Sequence, residues 1–179
     1  MFIKIIIVIA VIIGVVLVIA AFKPDDFAIT RSASVAASPE SIFPHVNNLQ
    51  EFQAWNPWGK LDPDVKNTFA GPAAGAGAVF TWAGNNKVGE GGMTITESRL
   101  GEFVRCRMDF IKPMASTAAV EFTFKPQGGQ TVVTWTMSGK NNYLSKVFCL
   151  FMNMDKMVGG SFEQGLADLK KIAESSAQK

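Results

Sequence analysis

The chain has 179 residues, of which 17 are basic and 15 are acidic, so its formal net charge is +2. The two signs are mixed along the sequence and form no basic stripe of the kind that binds phosphate backbones, which argues against a nucleic-acid partner. Without its apolar N-terminus the chain keeps roughly 155 residues, enough for one domain with a hydrophobic core and too few for two.

The first 22 residues form an apolar run that only Lys4 interrupts. The uncharged part, residues 5–22, would reach about 27 Å as a helix, close to the roughly 30 Å of a bilayer's hydrocarbon core. We therefore predict a transmembrane anchor over residues 1–24 and one domain over residues 25–179. A cleaved signal peptide is the alternative, but the run exceeds the roughly 7 to 15 apolar residues of an ordinary signal peptide.

The flanking charges do not decide the side of the membrane, because Lys4 precedes the apolar run while Lys23 and Arg31 follow it. A span with almost no chain before it usually leaves that short tail in the cytoplasm. We therefore expect the domain on the periplasmic or extracellular side.

The domain begins with an alternating segment and a short helical one. In FAITRSASVA the apolar residues Phe27, Ile29 and Val35 share one face, which predicts a half-buried strand. Ser38 then favours a helix N-cap and Pro39 the first helical position, so a helix that Pro44 keeps short is expected. The following EFQAWNPWGKLDPD is predicted as a packed loop or a second short helix.

Six strand-length runs separated by glycine-rich turns fill residues 65–138, which predicts an antiparallel meander. Alternation places the larger apolar side chains of the last two runs on one face and their threonines and glutamate on the other. The runs are VKNTFAG, AVFTWAG, GMTITESR, FVRCRMDF, STAAVEFTFKP and TVVTWTMSG.

A helical pattern closes the chain, from about Tyr143 to Glu174. An amphipathic helix of this length needs an apolar surface, and the apolar sheet face is the expected one. Gly159-Gly160 interrupts the pattern and predicts a kink or a junction between two helices.

This order of elements is that of the helix-grip fold, an α+β fold in which a curved antiparallel seven-stranded sheet wraps a long C-terminal helix. The sequence also resembles bacterial SRPBCC proteins, which are START-related and include many polyketide cyclase or dehydrase-like members. The resemblance rests on SPESIF, on AWNPW with the LDP that follows, on GNNKVGEGGMTITES and on FMNMDKMVGGSFEQGLADLK.

The resemblance implies a deep apolar cavity between the sheet and the long helix, suited to a hydrophobic ligand. The methionines among the expected lining residues would adapt to irregular guests. A filled core would give the same sequence pattern, so that alternative stays open. The residues expected to line or flank the cavity are Trp55, Trp58, Trp82, Met93, Ile95, Phe122, Trp135, Met137, Met154, Met157 and Phe162.

Catalytic and metal-binding motifs are scarce. His45 lacks neighbours at ligand spacing and is interpreted as a surface residue, while Cys106 and Cys149 lie in apolar contexts and are interpreted as buried free thiols, a disulfide being the alternative. The glycine-rich residues 89–92 lead into a strand, so they are predicted to form a turn and no phosphate site. We predict no metal and no cofactor.

The candidates for acid–base chemistry are Glu97, Asp109, Arg107 and Tyr143, and an enzyme of the cyclase or dehydrase type would use Glu97 or Tyr143. Glu97 shares strand parity with Met93 and Ile95, and a carboxylate that projects into an apolar cavity could act as a general acid or base. The plainer alternative places Glu97 at the rim of the sheet, paired with Arg99 or Arg107. Tyr143 is the single tyrosine of the chain.

We hypothesise a membrane-anchored protein that binds a hydrophobic small molecule, such as a lipid, an isoprenoid or a polyketide-like compound. The rival hypotheses are an enzyme of the cyclase or dehydrase type and a non-catalytic module that binds another protein. The sequence identifies no protein partner and does not decide whether there is catalysis.

Overall fold

The computed structural model describes residues 2–177. Residue 1 of the predicted anchor and residues 178 and 179 of the predicted domain lie outside the described part. Within residues 2–177, five α-helices, seven strands and one 3-10 turn follow each other along the chain. Their bounds are α1 Phe2–Ala21, β1 Asp26–Val35, α2 Pro39–Asn47, α3 Leu49–Phe52, the 3-10 turn Pro57–Lys60, β2 Lys66–Ala70, β3 Val79–Ala83, β4 Glu90–Arg99, β5 Phe103–Lys112, β6 Ser116–Gln127, β7 Gln130–Lys140, α4 Tyr143–Phe151 and α5 Met154–Ala177.

The seven strands form one antiparallel sheet in the order β1-β7-β6-β5-β4-β3-β2. All six predicted runs of the meander are confirmed as strands, and the predicted first strand is confirmed as β1, which pairs with β7 along its whole length. The α+β helix-grip architecture is therefore confirmed. Residues 90–92, which the sequence predicts as part of a turn, belong instead to β4, and only Gly89 keeps a turn conformation, with φ +67°.

The sheet has an apolar concave face, turned toward α5, and a polar outer face. On the concave face Phe122 of β6 lies opposite Trp135 of β7, and both are buried. On the outer face Thr30 pairs with Thr136, whose hydroxyl oxygens are 3.1 Å apart. The alternation predicted for β6 and β7 is confirmed.

The two ends of the concave face differ. At one end a linker of four residues separates α1 from β1, and the strand register brings Phe27, Gly139, Ala118 and Met108 side by side. We call this end of the sheet the anchor end. The opposite end carries Val35 and Thr131, and the chain leaves it toward α2.

The C-terminal helical pattern is broken at a different place from the one predicted. Gly159 and Gly160 lie inside a continuous α5, and the break falls at Met152-Asn153. The Asn153 side chain caps the new helix by accepting a hydrogen bond from the Lys156 backbone N–H at 2.9 Å. Glycine is needed at position 159 for a different reason, because a Cβ there would overlap the guanidinium of Arg31.

The break also separates two packing environments. Helix α5 lies along β1 and meets β7, α2 and the 3-10 turn, whereas α4 packs against α1. The expectation that the whole C-terminal pattern rests on the sheet is therefore wrong for α4. The periodicity of α4 reports an apolar stripe and not the surface that covers it, so it does not distinguish the sheet from α1.

Candidate functional site

Aromatic rings fill the space between α5 and the centre of the concave face. The rings of Trp135 on β7 and Phe162 on α5 stack, with centroids 4.0 Å apart and planes 10° from parallel. Trp55 and Trp58 meet Trp135 edge-on, with centroid distances of 5.5 Å and 5.9 Å. Helix α5 approaches this closely at Gly165, where a Cβ would lie 2.9 Å from the Trp135 ring. We call these rings, together with Phe52 and Phe122, the aromatic cluster.

Local capping interactions position Trp55. Asn48 ends α2 and caps α3, accepting a hydrogen bond from the Gln50 backbone N–H at 2.9 Å. The indole N–H of Trp55 then donates to the carbonyl oxygen of His45 at 2.9 Å. Trp135 differs, because within residues 2–177 its buried indole N–H has no hydrogen-bond acceptor.

The concave face is less fully covered toward the anchor end. Phe27, Trp82, Met108 and Phe110 pack against the core but stay partly exposed. Trp82 is held by a hydrogen bond from its indole N–H to the Val88 carbonyl oxygen at 3.1 Å, and it meets Phe110 edge-on at 6.2 Å. We call these four side chains the open patch.

A glycine allows the Trp82 ring to lie flat on the sheet. Gly91 of β4 pairs with Trp82 of β3, and a Cβ at Gly91 would lie 2.6 Å from that ring and from the Asp109 carbonyl oxygen. Any larger residue would push the indole off the sheet, so Gly91 is needed for the shape of the open patch.

The structure brings most of the predicted lining residues onto one continuous surface. Trp55, Trp58, Phe122, Trp135 and Phe162 belong to the aromatic cluster, and Trp82 belongs to the open patch. Three more, Met93, Ile95 and Met137, are buried on the concave face between them.

The other two predicted residues lie at the start of α5, where Met154 is partly exposed and Met157 is half exposed. Sequence analysis missed Phe27, Met108 and Phe110 as members of this surface. Their alternation with Ile29 in β1 and with Val104 in β5 was a signal that could have found them.

An ion-pair network fastens α5 to the edge of the sheet. Arg31 has the inward parity of Ile29, and its guanidinium reaches Glu163 at 2.7 Å and Asp155 at 2.9 Å. The two carboxylates hold the pKa of Arg31 above its usual range, and the guanidinium holds the pKa of Asp155 below its usual range. Sequence analysis missed this role, since Arg31 was considered only as a charge flanking the anchor.

The two candidate catalytic residues lie off the concave face. A β-bulge between Ile95 and Glu97 breaks the strand parity, so Glu97 is exposed and pairs with Arg105 at 2.8 Å. The predicted pairing with Arg99 or Arg107 is therefore wrong. Tyr143 lies on α4, and its hydroxyl donates to the Leu17 carbonyl oxygen at 2.7 Å.

The remaining reactive side chains form no site with metal-binding geometry. Within residues 2–177 no three His, Cys, Asp or Glu side chains come together in that way. His45 keeps a partly exposed side chain, with Nδ1 3.6 Å from the exposed Glu51, which is consistent with its interpretation as a surface residue. Both cysteines are free thiols, and burial raises the pKa of Cys106 to about 12, whereas Cys149 on α4 is only partly buried.

Two depressions of the surface lie outside the aromatic cluster. One, with a volume of about 920 Å³, lies at the anchor end of the sheet, and its lining includes Ala28, Ala119 and Ser138 of the outer face together with residues of inward parity, Phe27, Cys106 and Ala118. The other, of about 380 Å³, lies where α4 meets α5. The space beneath the centre of α5 is filled by the aromatic cluster, so the packed-core alternative describes that part of the interface.

Comparison with solved structures shows the same fold in proteins of low sequence identity. The protein CV1439 from Chromobacterium violaceum is 14% identical with a TM-score of 0.59, over 85% of this chain and 99% of that one. The Aha1 dimer from Colwellia psychrerythraea is 18% identical with a TM-score of 0.54, over 83% and 96%. StfQ, the di-domain ARO/CYC from the steffimycin biosynthetic pathway, is 10% identical with a TM-score of 0.61, over 87% and 53%.

A comparison with proteins of curated description gives no match. A family match is found for residues 26–174, which include all seven strands of the sheet and nearly all of α5. This chain therefore belongs to the SRPBCC-type family described as "Polyketide cyclase / dehydrase and lipid transport".

Proposed function

We propose that the protein binds a hydrophobic small molecule, such as a lipid, an isoprenoid or a polyketide-like compound, on the concave face of its sheet. The observation that carries the proposal is the open patch. Phe27, Trp82, Met108 and Phe110 expose part of an otherwise buried apolar surface at the end of the sheet that follows α1. Covering these groups with an apolar ligand would remove them from water, at about 25 cal/mol for each Å² buried.

The family description supports a hydrophobic ligand, because it names lipid transport beside polyketide cyclisation. Binding is favoured over catalysis, since Glu97 pairs with Arg105 on the outer face and Tyr143 lies on α4.

Helix α1 serves in this proposal as a single-pass membrane anchor, with the domain on the periplasmic or extracellular side. It has 20 residues, is apolar apart from Lys4, is exposed over most of its length except at its C-terminal end, where Ala20 is buried, and would reach about 30 Å. That length matches the hydrocarbon core, although a signal sequence passes the same test. An anchored domain would meet a membrane-dissolved ligand at a high effective concentration.

Trp135 would give a polar contact to a ligand that displaced Met137, which is buried between the open patch and the aromatic cluster. On β7 its side chain is followed on the same face by Met137 and then by Gly139 at the anchor end. An unpaired buried N–H costs about 1–3 kcal/mol, and a ligand oxygen that reached it would recover part of that free energy. We therefore expect ligands that combine an apolar body with a hydroxyl or carbonyl group.

Lipid uptake by the delipidated full chain tests the proposal. The protein in detergent is mixed with a total membrane lipid extract, re-isolated and analysed by mass spectrometry. We expect a bound hydrophobic compound in the native chain and much less in Phe110→Glu, which places a carboxylate in the open patch. Ile111→Glu is the matched control, because Ile111 is the next residue and is 55% exposed.

Thermal melts of both variants would show that they remain folded. Failure of the native chain to retain any compound, or equal retention by Phe110→Glu and Ile111→Glu, would overturn the proposal.

A further inference from the structure

Helix α4 exposes an apolar stripe that no other part of the described chain covers. Leu144, Phe148 and Phe151 follow each other at spacings of four and three residues, which puts them on one side of a helix. They are 55%, 55% and 73% exposed. We call these three side chains the α4 stripe. Three large apolar groups exposed together mark an interaction surface better than single scattered ones do.

The opposite side of α4 is fixed to the chain near the end of α1. The Tyr143 hydroxyl donates to the carbonyl oxygen of Leu17, and the Lys146 ammonium pairs with Asp25 just beyond α1. Lys146 is largely buried by these neighbours, and Ala20 of α1 is fully buried. The orientation of the α4 stripe is therefore set, with the stripe facing away from these contacts.

This position gives the α4 stripe a definite depth relative to a bilayer. If α1 spans the hydrocarbon core, its last residues lie at the boundary between acyl chains and headgroups. Leu17 is four residues from the end of α1, about 6 Å along the helix axis at about 1.5 Å per residue. Helix α4 therefore lies at the level where interfacial amphipathic helices are found.

We propose that α4 is an interfacial helix whose stripe inserts into the same bilayer that holds α1. The occupant of the stripe is thus the lipid surface. The inference rests on the proposed anchor but not on any bound ligand. The chemistry of α4 fits this setting, since Tyr143 is half exposed where tyrosine is enriched in membrane proteins and Lys146 is turned away from the stripe.

The linker between α1 and the domain supports the same placement. Four residues, 22–25, connect α1 to β1, and a fully extended chain of that length reaches at most about 14 Å. The domain therefore cannot stand far from the membrane surface, and a membrane contact beside α1 requires no movement of the domain.

The depth of spin labels on the full chain tests the inference. The chain with Cys149→Ser is reconstituted in vesicles of phosphatidylcholine and phosphatidylglycerol, and Cys106 is left in place because it is buried. Single labels are attached at Phe151→Cys in the α4 stripe, at Ile9→Cys in α1 and at Gln130→Cys, the exposed first residue of β7 at the far end of the sheet. Collision with oxygen and with a water-soluble nickel complex then reports the depth of each label.

We expect the label at position 151 to prefer oxygen and to lie about 5–10 Å into the boundary region. The label at position 9 should lie deeper, and the label at position 130 should be in water. A label at position 151 as exposed to nickel as the one at position 130, with position 9 still deep, would overturn this inference and leave the anchor standing.

Protection of position 151 from both reagents would also overturn the inference, because it would show that another protein surface, such as a second copy of the chain, covers the α4 stripe. Exposure of position 9 to nickel would overturn the anchor and this inference together. Uptake of lipid by the concave face would be unaffected by any of these results.

Discussion

A methyl group added at Gly165 should report how tightly α5 presses on the sheet. A Cβ at this glycine would lie 2.9 Å from the Trp135 ring and 3.2 Å from the Pro57 ring. Both neighbours are rings, which cannot bend away as a flexible chain end could. Gly160 lies one and a half turns earlier on the same helix, and a Cβ there meets nothing within 4 Å. Gly165→Ala and Gly160→Ala thus make the same chemical change at a packed and at an open position.

The two variants share one free-energy contribution and differ in another. Each gains about 1 kcal/mol of helix propensity when glycine becomes alanine inside α5. Gly165→Ala also suffers overpacking against Trp135, which typically costs about 1–3 kcal/mol. The shared gain cancels in the comparison, so Gly165→Ala should be about 1–3 kcal/mol less stable than Gly160→Ala.

Thermal unfolding of the full chain in detergent, followed by tryptophan fluorescence, measures the difference. For a domain of this size 1 kcal/mol corresponds to a shift of about 2–4 °C in Tm. Gly160→Ala should melt above the native chain, and Gly165→Ala should melt below Gly160→Ala. Equal melting temperatures for the two variants would refute the reasoning, because they would mean that space remains between α5 and Trp135.

Three further predictions concern the indole N–H, one carboxylate and the two thiols. Trp135→Phe leaves a cavity in the aromatic cluster but also removes an unpaired buried donor, whereas Trp55→Phe makes the same truncation and breaks the hydrogen bond to the His45 carbonyl oxygen. Trp135→Phe should therefore lose about 1–3 kcal/mol less stability than Trp55→Phe, measured by the denaturant midpoint, and equal losses would contradict the reasoning. The pairing of Asp155 with Arg31 lowers the carboxylate pKa, so its contribution to stability is complete above the usual carboxylate range and is lost as the pH falls through the lowered pKa. As the pH is lowered from 5 to 2, the Tm of the native chain should therefore fall more steeply than the Tm of Asp155→Asn. The same pH dependence of Tm in both proteins would contradict the assignment. Burial raises the pKa of Cys106 to about 12, so iodoacetamide at pH 8 should modify Cys149 first and reach Cys106 only after unfolding. Peptide mass spectrometry measures the modification of each cysteine, and prompt modification of Cys106 would contradict its burial.

The strands could be predicted from sequence because their signal is local. Alternation of apolar and polar residues, together with glycine turns, is contained within each segment, and all seven strands were found where it predicts them. Glu97 shows where this logic stops. One bulge shifts the side-chain parity by one residue, and nothing in GMTITESR marks the position of the bulge.

The roles of the paired glycines in α5 could not be predicted, because they depend on a partner distant in sequence. Gly159 makes room for the Arg31 guanidinium, which comes from β1, whereas Gly160 faces open space. The true helix break had a local signal in Asn153, which caps α5. That signal was obscured, since the apolar positions on both sides of Asn153 keep a helical spacing across the break.

The choice between a filled core and a cavity depends on volume, which a periodic pattern does not report. Large apolar side chains that face inward form the closely packed aromatic cluster in one half of the concave face. In the other half, side chains of the same kind form the partly exposed open patch. What distinguishes the halves is the element above each. Gly165 lets α5 approach Trp135, whereas the helix before the break packs on α1 and leaves Phe110 and its neighbours less covered.

Topology then decides which way the open half faces. Because β1 follows α1 after four residues and the strands are antiparallel, the start of β1, the end of β7 and the β5–β6 turn all lie at the anchor end. The start of β1, which carries Phe27, is therefore held within about 14 Å of the point where α1 would leave the bilayer, the reach of the extended linker, and Phe110 lies three strands further along the sheet on β5. A ligand dissolved in that bilayer would reach Phe27 over a distance comparable to its own length, and the rest of the open patch continues from there along the sheet. This proximity removes the need for the ligand to cross bulk water, where each of its buried CH₂ groups would cost about 0.8 kcal/mol to expose.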